Sequence, residues 1–236
     1  MTFDLESAAW KFANQINDLL VRVLPLDSLA EMPISAVHAK RHILVHPGEE
    51  QQPKLIPLFY RREHRAYLFL SYKLTHDSER KFSAVQESKF ELTPASGGAP
   101  LLRLDFLKDA RQVPCAHWNV HAEREELAPL LKQRPSRKKG KPLDISRVHL
   151  PVGGTRHRPC LEDFLQMLFE DFNFDGNIGK ELALAEGREM WRRTQIRALV
   201  RDSPEDAMEI LAGLGYEISP PSSEVRESKN SNLQRY

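Results

Sequence analysis

The stretch His117-Trp118-Asn119-Val120-His121-Ala122-Glu123 has the residue types and spacing that could do chemistry. Read as a β-strand, it turns His117, Asn119, His121 and Glu123 to one face and Trp118, Val120 and Ala122 to the other. Imidazoles beside a carboxylate supply a base, an acid and ligands for an ion. Spacing narrows the choice. At about 3.3 Å per residue, His117 and His121 stand roughly 13 Å apart, too far to share one metal. His121 and Glu123, about 6–7 Å apart, can converge on one ion or one substrate atom. On a helix the two histidines would share a face and a zinc site would return to consideration. The strand is the preferred reading, and no metal is assigned.

Asp105 lies on the strand before, turned away from Leu104. If the two strands pair, its carboxylate can orient a histidine or hold it cationic. Arg111, on the connection between them, can stabilise a developing anion. Such a set on the open face of a sheet suits metal-independent cleavage of RNA. One histidine takes a proton from a ribose hydroxyl while a second acid protonates the leaving oxygen. The catalytic candidates are therefore His117, His121, Glu123 and Asp105. The competing reading is a solvent-facing polar strand whose histidines hydrogen-bond their neighbours.

Two local basic segments bear on an anionic ligand. QRPSRKKGKP, residues 133–142, carries five cationic side chains, Lys138 and Lys139 at its centre. It reads as a loop or linker, or as a finger that contacts phosphate. Pro151-Val152-Gly153-Gly154-Thr155-Arg156-His157-Arg158-Pro159 precedes a helix. Free N–H groups and the two arginines could hold an anion there, although Glu162 and Asp163 in the first turn oppose it. Neither nucleotide-binding glycine motif is present in the sequence. The series His38, His42, His46 would spread over about 26 Å of one strand and is not expected to form a site.

The elements that must position these residues follow from hydrophobic period. Ala9, Ala13, Ile16, Leu20 and Val23 recur at helical spacing over 5–24, with Trp10 expected as a packing anchor and Pro25 as the stop. Six strands are expected: Ala36 to His46, Leu55 to Tyr60, Ala66 to Leu74, Phe82 to Leu92, Leu101 to Leu107 and His117 to Glu123. Their short, turn-rich connections demand antiparallel neighbours, and the first helix is expected to cover the apolar face. The C-terminal part reads as helices over 161–172, 181–201 and from 204 to Gly215, with Ser203 as N-cap and Pro204 at the first position. The expectation is an α+β fold: an N-terminal helix, an antiparallel sheet of about five or six strands and a helical C-terminal part. Its divisions are 1–132 around the sheet, 133–143 as basic loop, 144–218 as helices packed on the sheet, and 219–236 as a disordered tail.

Composition sets the outer limits. The 236 residues are 41% hydrophobic and 28% charged, with a formal net charge of +1, so phosphate can be held only by a local patch. Two cysteines, Cys115 and Cys160, do not make a disulfide scaffold or a multi-cysteine zinc site. Acidic residues near the N-terminus and the lack of a long apolar run predict a cytoplasmic protein outside the membrane. No cofactor is expected.

An R-x-D-F strand (Arg103, Asp105, Phe106) followed by a His-rich strand resembles small prokaryotic toxins of toxin–antitoxin operons, over too short a stretch to transfer any residue's role. The leading functional expectation is an RNA- or phosphodiester-directed protein, toxin- or nuclease-like. Arg111, Arg156, Arg158, Lys138 and Lys139 would be its anion contacts. Two alternatives stand beside it. One is a non-enzymatic interaction or regulatory module docking a protein through Arg193 and Arg197. The other is a protein with a His/carboxylate metal site.

Overall fold

The structure of the protein, a computed structural model, describes residues 3–29, 32–49, 51–121 and 148–219, and the single positions Ser222, Ser228, Asn232 and Gln234. Helix α1 (Leu5–Val23) is capped by Asp4, whose carboxylate accepts from the Glu6 N–H at 3.0 Å. It buries Ala9, Ala13, Ile16, Leu19, Leu20 and Val23, the expected stripe. Trp10 falls outside that stripe and is 44% exposed, so it is not the anchor its type suggested. A single turn, α2 (Leu26–Leu29), follows.

Among the described residues the sheet is antiparallel and has eight strands: β1 (Ile34–Ala39), β2 (His42–Pro47), β3 (Ile56–Tyr60), β4 (Glu63–His76), β5 (Ser83–Pro94), β6 (Leu102–Leu107), β7 (Ala116–Val120) and β8 (Leu150–Gly153). Two differences separate this from the six strands expected. The segment 36–46 is a tight hairpin, because Lys40 takes a left-handed turn (φ 55°) that its type does not advertise. Ala39 therefore faces His42 across the pair, and the three histidines do not lie along one strand. The second difference is β8, whose Pro and Gly disguise a short edge strand paired with β7.

Spatial order runs β1-β2-β4-β5-β6-β7-β8. The long β4 pairs with β5 on one edge, while its other edge takes β3 along 63–68 and β2 along 72–74. Along β4, Ala66, Leu68, Leu70, Tyr72 and Leu74 are buried at period two, fixing the core face. On that face lie α1, α3 (Leu161–Glu170) and the first turns of α4 (Lys180–Asp202). An aromatic chain crosses the core. Phe12 meets Tyr72 edge-on at 4.9 Å, Tyr72 meets Phe90 at 5.5 Å, Phe90 meets Phe164 at 5.7 Å, and Phe164 stacks on Trp118 at 5.7 Å. Cys115 and Cys160 are both buried.

The last helix, α5 (Pro204–Gly213), starts at Ser203 as expected. The Ser203 hydroxyl does not cap the backbone, however; it hydrogen-bonds the Asp206 carboxylate. Among the described residues no helix is long and apolar enough to cross a membrane.

Candidate functional site

Strands β6 and β7 pair in a register that sets Asp105 directly opposite His117 and Arg103 opposite Asn119. All four side chains lie on the sheet face away from the aromatic chain, since Leu104 and Trp118 between them belong to the core. His117 Nδ1 lies 2.7 Å from the Pro114 carbonyl, which can only accept, so Nδ1 carries a proton. Nε2 then faces Asp105 Oδ2 at 3.6 Å. The same carboxylate oxygen forms an ion pair with Arg103, its Nε 2.7 Å away but not aligned for a hydrogen bond, and accepts from the Asn119 side-chain N–H at 3.4 Å. Arg103 reaches on to Glu91 at 3.9 Å, which burial pushes above the usual carboxylate range against the pull of Lys89 and Arg103. The His149 ring lies edge-on to His117 at 4.7 Å.

This assembly is shut away from water. His117 is 1% exposed, Asp105 4% and Asn119 0%. Its geometry is that of a histidine held against a carboxylate and turned from solvent. His121, just past the end of β7, is half-buried, with its Nε2 enclosed and unbonded. Arg111 stands exposed on the β6–β7 connection. Glu123, Lys138 and Lys139, with the whole basic segment 133–143, lie outside the described residues. Arg103 and Glu91 belong to the network but escape a reading centred on histidines, although the alternation through Asp105 and Lys89 marks their face.

Arg156 and Arg158 lie elsewhere. A cavity of about 390 Å³ opens between the outer end of the β4–β5 hairpin, the loop after β8 and the inner face of α4. Phe12, Leu74, Val85, Phe106 and Trp191 give it apolar walls, and Arg156, Arg158 and Arg201 a cationic side. Helix α4 grips the backbone of Arg158 through three hydrogen bonds. The Arg158 N–H donates to Gln195 Oε1 at 3.3 Å, while its carbonyl accepts from Gln195 Nε2 at 2.8 Å and Trp191 Nε1 at 3.4 Å.

The charges around the cavity are unequally satisfied. Arg156 pairs with the buried carboxylate of Asp202, which also accepts from the Asn232 side chain at 2.9 Å. The Arg201 guanidinium sits 4.7 Å over the Phe82 ring. Burial raises the Asp77 carboxyl, but the N–H groups of Phe82, Lys81 and Glu79, with Arg201, outweigh it and hold the group below its ordinary range. Arg158 differs. Its guanidinium lies 5.7 Å from the Phe106 ring centre, its Nε is enclosed without a hydrogen bond, and among the described residues no carboxylate is within ion-pair distance. Burial first, and Arg156 next, push its pKa down to about 10, which leaves it cationic at neutral pH. The sequence names Arg156 and Arg158 but not the cavity, because its walls come from segments distant in the chain.

Asp171-Phe172-Asn173-Phe174-Asp175-Gly176 opens like a calcium loop, but Leu182 stands where such a loop carries its bidentate Glu. Its last carboxylate is already used. Asp175 accepts from the Arg61 and Arg62 N–H groups at 2.9 and 2.8 Å, and the Asn177 side chain donates to the Val21 and Leu24 carbonyls. The stretch is a clasp joining the β3–β4 turn to the open end of α1. Among the described residues no group of three or more His, Cys, Asp or Glu side chains could hold a metal ion.

No family model, curated protein or solved structure matches this chain. What the protein does must therefore be argued from these sites.

Proposed function

We propose that this protein binds a phosphate-bearing ligand, a nucleotide or RNA phosphodiester, in the cavity beneath α4, with Arg158 and Arg156 as its anion contacts. The observation that carries this reading is Arg158: its main chain is held by three hydrogen bonds from α4, its guanidinium lies against the Phe106 ring, and among the described residues no carboxylate is within ion-pair distance. A buried cation without a counter-ion costs stability, and an incoming phosphate oxygen offsets that cost with charge-assisted hydrogen bonds. At about 390 Å³ the cavity falls in the lower part of the ordinary range of ligand pockets, about 300–1,000 Å³. It suits one nucleotide unit or a strand end better than a length of duplex.

Cleavage of RNA at His117 and Asp105 is the second reading, supported by their direct cross-strand pairing. Their burial favours an architectural role in the state observed, so ligand binding takes precedence. One experiment separates the two. The protein is titrated by calorimetry with inorganic phosphate, a 5′-mononucleotide and a short RNA, and incubated with a mixed RNA pool with and without EDTA. Heat of binding without cleavage supports the cavity reading. Cleavage that survives EDTA and disappears in the His117→Ala/His121→Ala double variant supports the second. No heat with any of the three ligands would overturn the first.

A further inference from the structure

One side chain at the cavity comes from far along the chain. Asn232 lies 30 residues beyond Asp202, in the polar segment expected to be disordered, yet it lines the cavity beside Thr155, Arg156 and Asp202. It holds two walls at once. Its backbone carbonyl accepts from the Thr155 hydroxyl at 3.1 Å, on the loop after β8. Its side-chain N–H donates to the Asp202 carboxylate at 2.9 Å, at the end of α4. Both partners are enclosed, Thr155 at 4% exposure and Asp202 at 2%, whereas Asn232 is half-buried and so stands at the rim. Four residues earlier, the Ser228 hydroxyl reaches the Glu205 carboxylate, in the first turn of α5, at 3.4 Å. Two described points thus set the course of the C-terminal segment, past the start of α5 and onto the cavity.

What Asn232 brings is as informative as where it sits. Its amide takes up hydrogen-bonding groups of two walls but is neutral, so it supplies no counter-charge to Arg156 or Arg158. It also bonds Oδ2 of Asp202, the same oxygen that pairs with Arg156. A phosphate at that arginine offers charge-assisted hydrogen bonds that a neutral amide cannot match. The amide has a different advantage, since its tether keeps it at high effective concentration. Such an occupant holds the place in the absence of ligand and yields it to an anion. We infer that the C-terminal segment is a strap across this cavity, latched by Asn232, which a ligand must release to bind. The inference rests on the reading of the cavity as a ligand site and adds its regulation. Only molecules with the latch open bind, so the strap lowers the apparent affinity by that fraction.

Two measurements on the full chain test it, with melting curves to confirm that each variant is folded. In calorimetric titration with a 5′-mononucleotide, Asn232→Ala should bind about tenfold more tightly than wild type, the factor that one hydrogen bond to a charged group represents. Limited digestion by trypsin, with cleavage after Lys229 read by mass spectrometry, follows the latch without any ligand. Asn232→Ala should be cut there faster than wild type, and so should Thr155→Val, which removes the hydroxyl donor. The mononucleotide should speed the cut in wild type and leave Asn232→Ala unchanged. Binding by wild type that is equalled or exceeded in affinity over Asn232→Ala would overturn the strap and leave the cavity reading standing. One digestion rate in all three proteins would do the same. No heat from either wild type or Asn232→Ala would instead be the failure of the cavity reading, and the strap would fall with it.

Discussion

Arg158 and Glu162, four residues apart, each carry a charge that burial opposes, and they differ in what relieves it. Arg158 faces a cavity that a ligand can enter. Glu162 is sealed in the first turn of α3, 7% exposed, beneath Gly187 of α4. Burial raises its carboxyl above the ordinary range, outweighing its helix-end N–H, Cys160 and Arg188. The consequence for stability has a definite sign. The unfolded chain releases this proton at a lower pH than the folded one, so stability falls as pH rises from the ordinary Glu value through the raised one. Above that window the penalty is complete. Glu162→Gln should therefore melt higher than wild type at pH 7, with the advantage shrinking below about pH 4, where the unfolded carboxyl is also protonated. Thermal melts at the two pH values check it, and equal shifts at both would contradict the assignment. His117 and Asp105 carry the matching prediction for chemistry. If their role is architectural, as their burial favours, His117→Ala/His121→Ala changes melting temperature and leaves no RNA cleavage to lose; the RNA-pool assay with and without EDTA reads this.

At the scale of elements, α4 shows how a helix can be placed correctly from sequence while its purpose stays hidden. Its span, Lys180–Asp202, lies within a residue of the expected 181–201. Its apolar residues do not gather on one face, because one side lines a cavity and another faces outward, so no single stripe predicts its packing. Gly187 marks where it approaches α3: a Cβ there would lie 2.4 Å from Glu162 Oε1 and 3.0 Å from its Cγ. Alanine would gain about 1 kcal/mol of helix propensity, but overpacking against an enclosed carboxylate costs typically 1–3 kcal/mol. Gly187→Ala should thus lower the midpoint of denaturant unfolding, and a rise would show that Glu162 has room to move. The sheet was legible in the same uneven way. The alternation of Leu102, Leu104 and Phe106 marks the core face of β6 in the sequence, and β6 and β7 do pair. The β1–β2 turn was not legible because Lys40 adopts a left-handed conformation without Gly or Asn. Strand β8 was obscured by Pro151 and Gly153, residues that ordinarily argue against a strand. The histidines drew attention by type, whereas the cavity is assembled by contacts among α1, the β4–β5 hairpin, the loop after β8 and α4 that no local spacing records.

For the molecule as a whole, the sheet divides two kinds of polar assembly. On one face Glu91, Arg103, Asp105 and His117 form a chain of opposite charges and a histidine that is largely shielded. At the margin of the other face, where α4 leans over the end of the β4–β5 hairpin, Arg158 has no carboxylate within ion-pair distance among the described residues. The near-neutral net charge agrees with this division, since attraction for phosphate would be local to one cavity rather than spread over a basic surface. The account stands on Arg158 as the anion contact of that cavity. Its most direct test is calorimetric titration of a 5′-mononucleotide into wild type, Arg158→Lys and Arg158→Met, each confirmed as folded by its melting curve. The account predicts binding to wild type, at least tenfold weaker binding to Arg158→Met, and an intermediate value for Arg158→Lys, which keeps the charge but loses the planar fork. Unchanged affinity in Arg158→Met would contradict it.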